Sequence, residues 1–283
     1  MKLLSFERQG QASWGLLSAD GRVIDGPPLT QGHHHSLRAV LQARALPDVA
    51  RAAQGRAADF GLEDVRLLPV IPDPGKILCV GLNYEEHRLE TRREPTGEPT
   101  LFLRVATSQV GHGQAILLPA ESPNLDYEGE IAIVIGKRGR RISQADAYGH
   151  IAGYAPYNDA SVRDWQQHTT QWTPGKNFDA TGAFGPWMAT RDDIPDGADL
   201  SLTTRLNGEV MQHATTAQLI FGIPRLIQYI SRFATLEPGD VIVTGTPGGV
   251  GFKRNPPLFM KEGDVVEVEV EGVGCLSNRV RAG

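Results

Sequence analysis

The 283-residue chain has two cysteines, Cys79 and Cys275, far apart in sequence. With no Cys-x-x-Cys pair and no His/Cys cluster, neither a disulfide framework nor a thiolate zinc site is suggested. The expectation is a reducing, cytoplasmic compartment. Long apolar runs are missing too. The longest, Ala115 to Leu118 and Ile131 to Ile135, fall far short of a membrane span, and the N-terminal MKLLSFERQG has no apolar core before Glu7 and Arg8. A membrane is therefore not an expected partner. A basic surplus is also lacking: 33 acidic against 28 basic residues give a net charge of −5, which argues against nucleic acid as a partner. What the chain does have is 40% apolar residues and 32 glycines, a composition that excludes disorder and is large enough to bury a core.

Residues 1–25 read as a small hairpin, with Leu3, Leu4 and Phe6, then Trp14 to Leu17, a turn at Ala19-Asp20-Gly21, and Arg22-Val23-Ile24. The Ala- and Leu-rich stretch from Ser36 to Ala58 has helical composition interrupted at Pro47, and Leu67 to Ile71 resembles a strand running into Pro72-Asp73-Pro74-Gly75. This prolyl hinge divides a small N-terminal α/β domain, residues 1–72, from a main domain, residues 73–283. The main domain is dense in short apolar runs bounded by Gly and Pro, so a β-rich α+β fold is expected. One helix stands out after Pro224, with Leu226, Ile227, Ile230 and Phe233 near one face.

Chemistry has five candidate locations. Asp126, Glu128 and Glu130 alternate just before Ile131 to Ile135, so in a strand they face one side. Glu267, Glu269 and Glu271 share this spacing but alternate with valines, the pattern of a strand with one face in water. The run after Glu130 instead implies a strand covered on both faces, and carboxylates at its mouth need a cation. Carboxylate oxygens suit Mg²⁺ or Mn²⁺. Asp159, at the end of another apolar run, is either a third carboxylate of such a set or a helix cap. Arg163 is either a clamp for a substrate carboxylate or a partner of a surface acid.

His87 and Glu90, three residues apart, share a helical face, which suits a carboxylate-held general base or an exposed pair. The glycine-rich stretch Thr244 to Gly251 has neither a P-loop Lys-Ser/Thr nor a dinucleotide fingerprint. It reads either as a turn offering N–H and O–H groups, with Thr246, to a substrate carboxylate or as a tight turn in a sheet. Lys176, in Pro174-Gly175-Lys176-Asn177-Phe178-Asp179, suggests a positioned cation. His33-His34-His35 reads as surface.

In series, these segments resemble the fumarylacetoacetate hydrolase family in its small prokaryotic-type form. The matching pieces are Asn83-Tyr84-x-x-His87-x-x-Glu90, Tyr127-Glu128-x-Glu130, Asn158-Asp159-x-Ser161-x-Arg163-Asp164-x-Gln166, Gly175-Lys176-x-Phe178-Asp179, Leu206-Asn207-Gly208-Glu209, and Pro238-Gly239-Asp240 followed by Thr244-Gly245-Thr246-Pro247-x-Gly249-Val250-Gly251. They extend over nearly all of residues 75–280. Val162, Asn177 and Cys275-Leu276-Ser277-Asn278 depart from the usual pattern without removing a proposed ligand.

The resemblance implies a β-roll, commonly a homodimer, with Mg²⁺ or Mn²⁺ held by Glu128, Glu130 and Asp159 and a small 2-oxo acid as substrate. By the same resemblance, His87 and Glu90 form a water-activating pair on a lid, Lys176 stabilises an oxyanion or enolate, and Arg163, Gln166 and Thr246 orient substrate. Asp126 has no metal role. The implied activity is divalent-metal-dependent hydrolysis of a C–C bond in a 2,4-dioxo acid of the acylpyruvate type, through an enolate that the ion stabilises. The alternative is decarboxylation or isomerisation of an unsaturated 2-oxo dicarboxylate in aromatic catabolism. A non-catalytic 2-oxo acid sensor is the reading from another class.

Overall fold

The computed structural model describes residues 1–283. The strand Gly129–Ile135 organises it. All its residues are buried, and alternation assigns them to two sides. Ile131, Ile133 and Ile135 enter one apolar cluster, whereas Ala132 and Val134 enter another. A strand covered on both faces is what its unbroken apolar run requires. It pairs antiparallel with Ile151–Asn158 and with Val241–Val243 inside a twelve-stranded sheet. Val241–Val243 pairs parallel with Ile77–Gly81, which is followed by the edge strand Thr100–Arg104.

A five-stranded sheet, in the order Glu209–Thr215, Ser201–Leu206, Val265–Val270, Gly274–Ala282, Ile116–Leu118, covers the first side. Leu202, Val266, Val268 and Leu276 join Ile131 and Ile133 in one cluster. Glu267 and Glu269 point away from it, and Glu269 pairs with Arg205 at 2.7 Å, as expected of a solvated face. The helix Ile223–Phe233 packs Leu226, Ile227 and Ile230 into the same cluster. Phe233 departs from the expected apolar face and is 57% exposed. It is the last helical residue, the chain leaves in an extended conformation at Ala234, and the ring rests against Tyr229.

The second side is covered by the first 72 residues. The hairpin Lys2–Arg8 and Gln11–Leu17 joins the large sheet through Lys2 opposite Ala189 and Leu3 opposite Met188. Pro47 opens a helix rather than interrupting one: Leu37–Gln42 and Leu46–Ala53 are separate, with Pro47 in the first turn of the second. The strand expected over Leu67 to Ile71 is confined to Arg66–Leu67, while Val70 and Ile71 are buried as irregular chain. Leu3, Trp14, Leu37 and Val40 share a cluster with Val134, Val241 and Val243, so no seam in the core marks the passage through Pro72 to Gly75. The fold is strand-rich α+β, and no helix is long and apolar enough to cross a membrane.

Candidate active site

Strand register creates the site. Gly129 lies opposite Asn158 and Glu130 opposite Tyr157, so the next antiparallel step brings Glu128 beside Asp159. The Asp159 N–H donates to the Glu128 carbonyl at 2.8 Å, and the Glu128 N–H donates to Asn158 Oδ1 at 3.0 Å. Carboxylate oxygens of Glu128, Glu130 and Asp159 lie within 4.8 Å of one another, and all three residues are buried. Asp126 faces elsewhere despite its spacing, because Leu125–Asp126 pairs with Ser161–Val162 in a separate ladder. Its oxygens accept from Arg163 Nε at 2.8 Å and from the backbone N–H groups of Gly251 at 2.8 Å and Phe252 at 3.0 Å.

Three buried bases answer these acids. Lys176 Nζ bridges Glu128 and Asp159 at 2.7 Å each, Arg163 reaches Glu128 at 2.6 Å, and Arg104 reaches Asp159 at 2.5 Å. Burial raises the Glu128 carboxyl, but Lys176 and then Arg163 outweigh it and hold the group at about 2. Glu130 has no basic partner and accepts only the Gly245 N–H, at 2.5 Å. Burial first, then repulsion from Asp159 and Glu128, pushes it well above the ordinary carboxylate range. It is thus a buried carboxylate short of a cation, at the mouth of an all-oxygen donor set. Glu128, Glu130 and Asp159 fit a hard divalent ion such as Mg²⁺ or Mn²⁺.

The acids open onto a cavity of about 620 Å³ lined by His87, Glu128, Glu130, Arg163, Gln166, Lys176 and Thr246, among others. Two expected site residues sit behind that lining. Asp159 is fully buried, with its oxygens on Arg104 and Lys176, and Glu90 backs His87. His87 Nδ1 lies 2.7 Å from Glu90 Oε1, and the ring makes no other hydrogen bond, which leaves Nε2 for the cavity. The pair sits on a formed helix, Glu85–Glu90, fastened by Asn83 to Phe221 and Thr244 and by Glu90 to the Gly249 N–H. Arg163 places Nη1 on Gln166 at 3.0 Å, while its buried Nη2 has no partner.

The glycine-rich stretch does something other than present its N–H groups to substrate. Those of Gly245, Gly249 and Gly251 go to Glu130, Glu90 and Asp126. A Cβ at Gly251 would lie 1.9 Å from the Leu258 carbonyl and 2.5 Å from Asp126 Oδ1, so only glycine allows that approach. The Thr246 hydroxyl lines the cavity but donates to the Gly129 carbonyl at 3.0 Å and accepts from Gln212 at 2.8 Å. The loop therefore aligns the acids. Three further residues do similar work without having been expected to: Asp126, Gln212 and Arg104. For Arg104 the signal is a charge inside the apolar run Leu101 to Val105. Gln212 carries no local signal. His33 to His35 lie in a surface loop, as expected.

The family model "Fumarylacetoacetate (FAA) hydrolase C-terminal" matches residues 76–281. A Xenopus laevis protein named oxaloacetate tautomerase, mitochondrial, is 44% identical over 287 residues, covering 99% of this chain and 90% of its own. Among solved structures, fumarylacetoacetate hydrolase from Exiguobacterium antarcticum is 36% identical with a TM-score of 0.84, over 100% of both chains. Maleylpyruvate hydrolase from a Sphingobium species, in complex with manganese(II) ion and pyruvate, is 29% identical with a TM-score of 0.83, again over 100% of both chains.

Proposed function

The chain belongs to the fumarylacetoacetate hydrolase family, and from that premise we propose that it is a divalent-metal-dependent tautomerase of a 2-oxo acid, with oxaloacetate the first substrate to test. The observation that carries the reading is the set Glu128, Glu130 and Asp159 beside a cavity that also presents His87 and Lys176. The name of the Xenopus laevis relative supports the reaction, and the manganese and pyruvate of the Sphingobium structure support the ligand class.

A divalent ion there supplies Lewis-acid stabilisation of negative charge on the 2-oxo oxygen, worth several kcal/mol. The remaining work falls to side chains. Arg163, held by Asp126 and Glu128 in the lining of the cavity, pairs with the substrate carboxylate. His87 Nε2 removes the proton from the carbon next to the ketone. The electron pair becomes enolate charge near the Lys176 ammonium, and a proton returned to oxygen completes the enol. Glu90 fixes the imidazole and stabilises its protonated form. No carbon–carbon bond breaks.

The test is exchange of the C3 protons of oxaloacetate with deuterated solvent, followed by NMR with Mg²⁺ or Mn²⁺ present. Exchange well above that of buffer with metal is expected, and it is lost in Glu130→Gln; exchange no faster than the metal control refutes the reading. A second reading, hydrolysis of an acylpyruvate, is favoured by the carboxylate-held His87 with a free Nε2, the arrangement that activates water. Release of pyruvate and a carboxylic acid from acetylpyruvate distinguishes it. Carbon dioxide release that survives His87→Ala would instead indicate decarboxylation. A homodimer in the cytoplasm completes the proposal, checked by scattering mass and cell fractionation.

A further inference from the structure

Lys176 has an exacting place and a slender support. Its Nζ lies 2.7 Å from both Glu128 and Asp159 and 4.9 Å from the centre of the Phe102 ring, at the tip of a flexible four-carbon stem. The backbone that carries it is a single turn, Thr173–Lys176. Too short to be stable alone, that turn depends on what it is docked against.

It is docked against the edge strand Thr100–Arg104, and the contact has two ends. At one end Trp172 meets the Phe102 ring edge-on at 5.4 Å, an apolar contact with little preference for one position along the strand. At the other, Asn177 Oδ1 accepts the Val105 N–H at 2.8 Å, while Nδ2 donates to the Leu103 carbonyl at 3.2 Å and to the Thr173 carbonyl at 3.0 Å. One side-chain amide thus stands where a neighbouring strand would pair, and it closes the turn as well. Directional bonds to backbone groups two residues apart fix the turn's position along the strand. Between those groups lies Arg104, whose guanidinium is held separately by Asp159, Ala160, Ser108 and Thr181. Asn177 therefore sets Lys176 against the strand whose own cation serves the same Asp159.

We propose that Asn177 is a positioning residue for the reaction: by clamping the turn to the edge strand, it holds the Lys176 ammonium where enolate charge develops. This rests on the reading of the cavity as a 2-oxo acid tautomerase centre. The clamp needs one acceptor and two donors on a short stem, which asparagine supplies. A serine hydroxyl has a single hydrogen to donate, and an ionised aspartate has none.

The experiment uses the full chain with Mg²⁺, comparing wild type with Asn177→Ala and Asn177→Asp well below their melting temperatures. It reads amide hydrogen exchange at Val105, and kcat and KM for exchange of the C3 protons of oxaloacetate. In Asn177→Ala the Val105 amide is expected to exchange about tenfold faster and kcat to fall about tenfold, with KM within about twofold, because a slightly misplaced charge is missed most in the transition state. Asn177→Asp keeps the Val105 bond but sets an oxygen against the Leu103 and Thr173 carbonyls, so its amide stays protected while kcat still falls. A kcat within about twofold of wild type in either variant, or a loss carried by KM with kcat intact, overturns the assignment. So does an unchanged Val105 amide in Asn177→Ala. Wild-type exchange of oxaloacetate no faster than the metal control instead removes the tautomerase reading, and the Val105 amide still tests the clamp.

Discussion

Glu130→Gln separates the shape of the cation-deficient carboxylate from its charge. Glutamine keeps an oxygen for the Gly245 N–H and turns an N–H₂ group toward Glu128 and Asp159, so the metal-free fold is not harmed. The pH dependence follows from the raised Glu130 pKa. Above the ordinary carboxylate value of 4.5, the unfolded chain has released a proton that the folded protein still holds. Metal-free wild type therefore loses stability as pH rises from there toward the raised value, by up to about 1.4 kcal/mol per pH unit. The glutamine variant lacks this slope and grows more stable than wild type across the window. Glu128, held at about 2, has the opposite sense: its contribution is complete above 4.5 and lost only on acidification, so it does not confuse the measurement.

Metal reverses the ranking. At about one hundred times its dissociation constant, a divalent ion stabilises wild type by about 2.7 kcal/mol, or roughly 5–10 °C in melting temperature, and the variant loses most of that gain. Thermal unfolding followed by circular dichroism, with chelator and then with Mn²⁺ at a series of pH values, reads both effects. A metal-free variant several kcal/mol less stable than wild type, or one that retains the full shift with metal, refutes the reasoning.

Three further substitutions test the scaffold around the acids. Asp126→Asn places an N–H₂ group against N–H donors and leaves Arg163 one carboxylate fewer, so a loss of about 3–5 kcal/mol is expected in denaturant unfolding; a change under about 1 kcal/mol contradicts the positioning role. Arg104→Met removes a fully buried partner of Asp159, with a similar cost in chelator that is partly recovered when Mn²⁺ is added, as seen by the same unfolding assay. Gly81→Ala puts a Cβ 2.4 Å from the Trp172 ring that walls the cavity, so tryptophan emission should shift and KM should rise with little change in kcat.

Local sequence determined the pieces of this protein. The apolar run Ile131 to Ile135 could only be a strand buried on both sides, Val266, Val268 and Val270 could only face a core, and the motifs carried the family and the candidate acids. What the alternation could not decide was which acids converge. Asp126 shares the two-residue spacing of Glu128 and Glu130, yet a change of ladder at Tyr127 sends it to Arg163 and the glycine loop, while Asp159 arrives from the neighbouring strand. The use of the glycine loop's N–H groups to hold acids, and the burial of Arg104 behind Asp159, are likewise tertiary facts. A side chain's direction along a strand is a local property. Its charge partner depends on which distant strand pairs in which register, and the energy that selects that register is distributed over two apolar clusters rather than stored near the site.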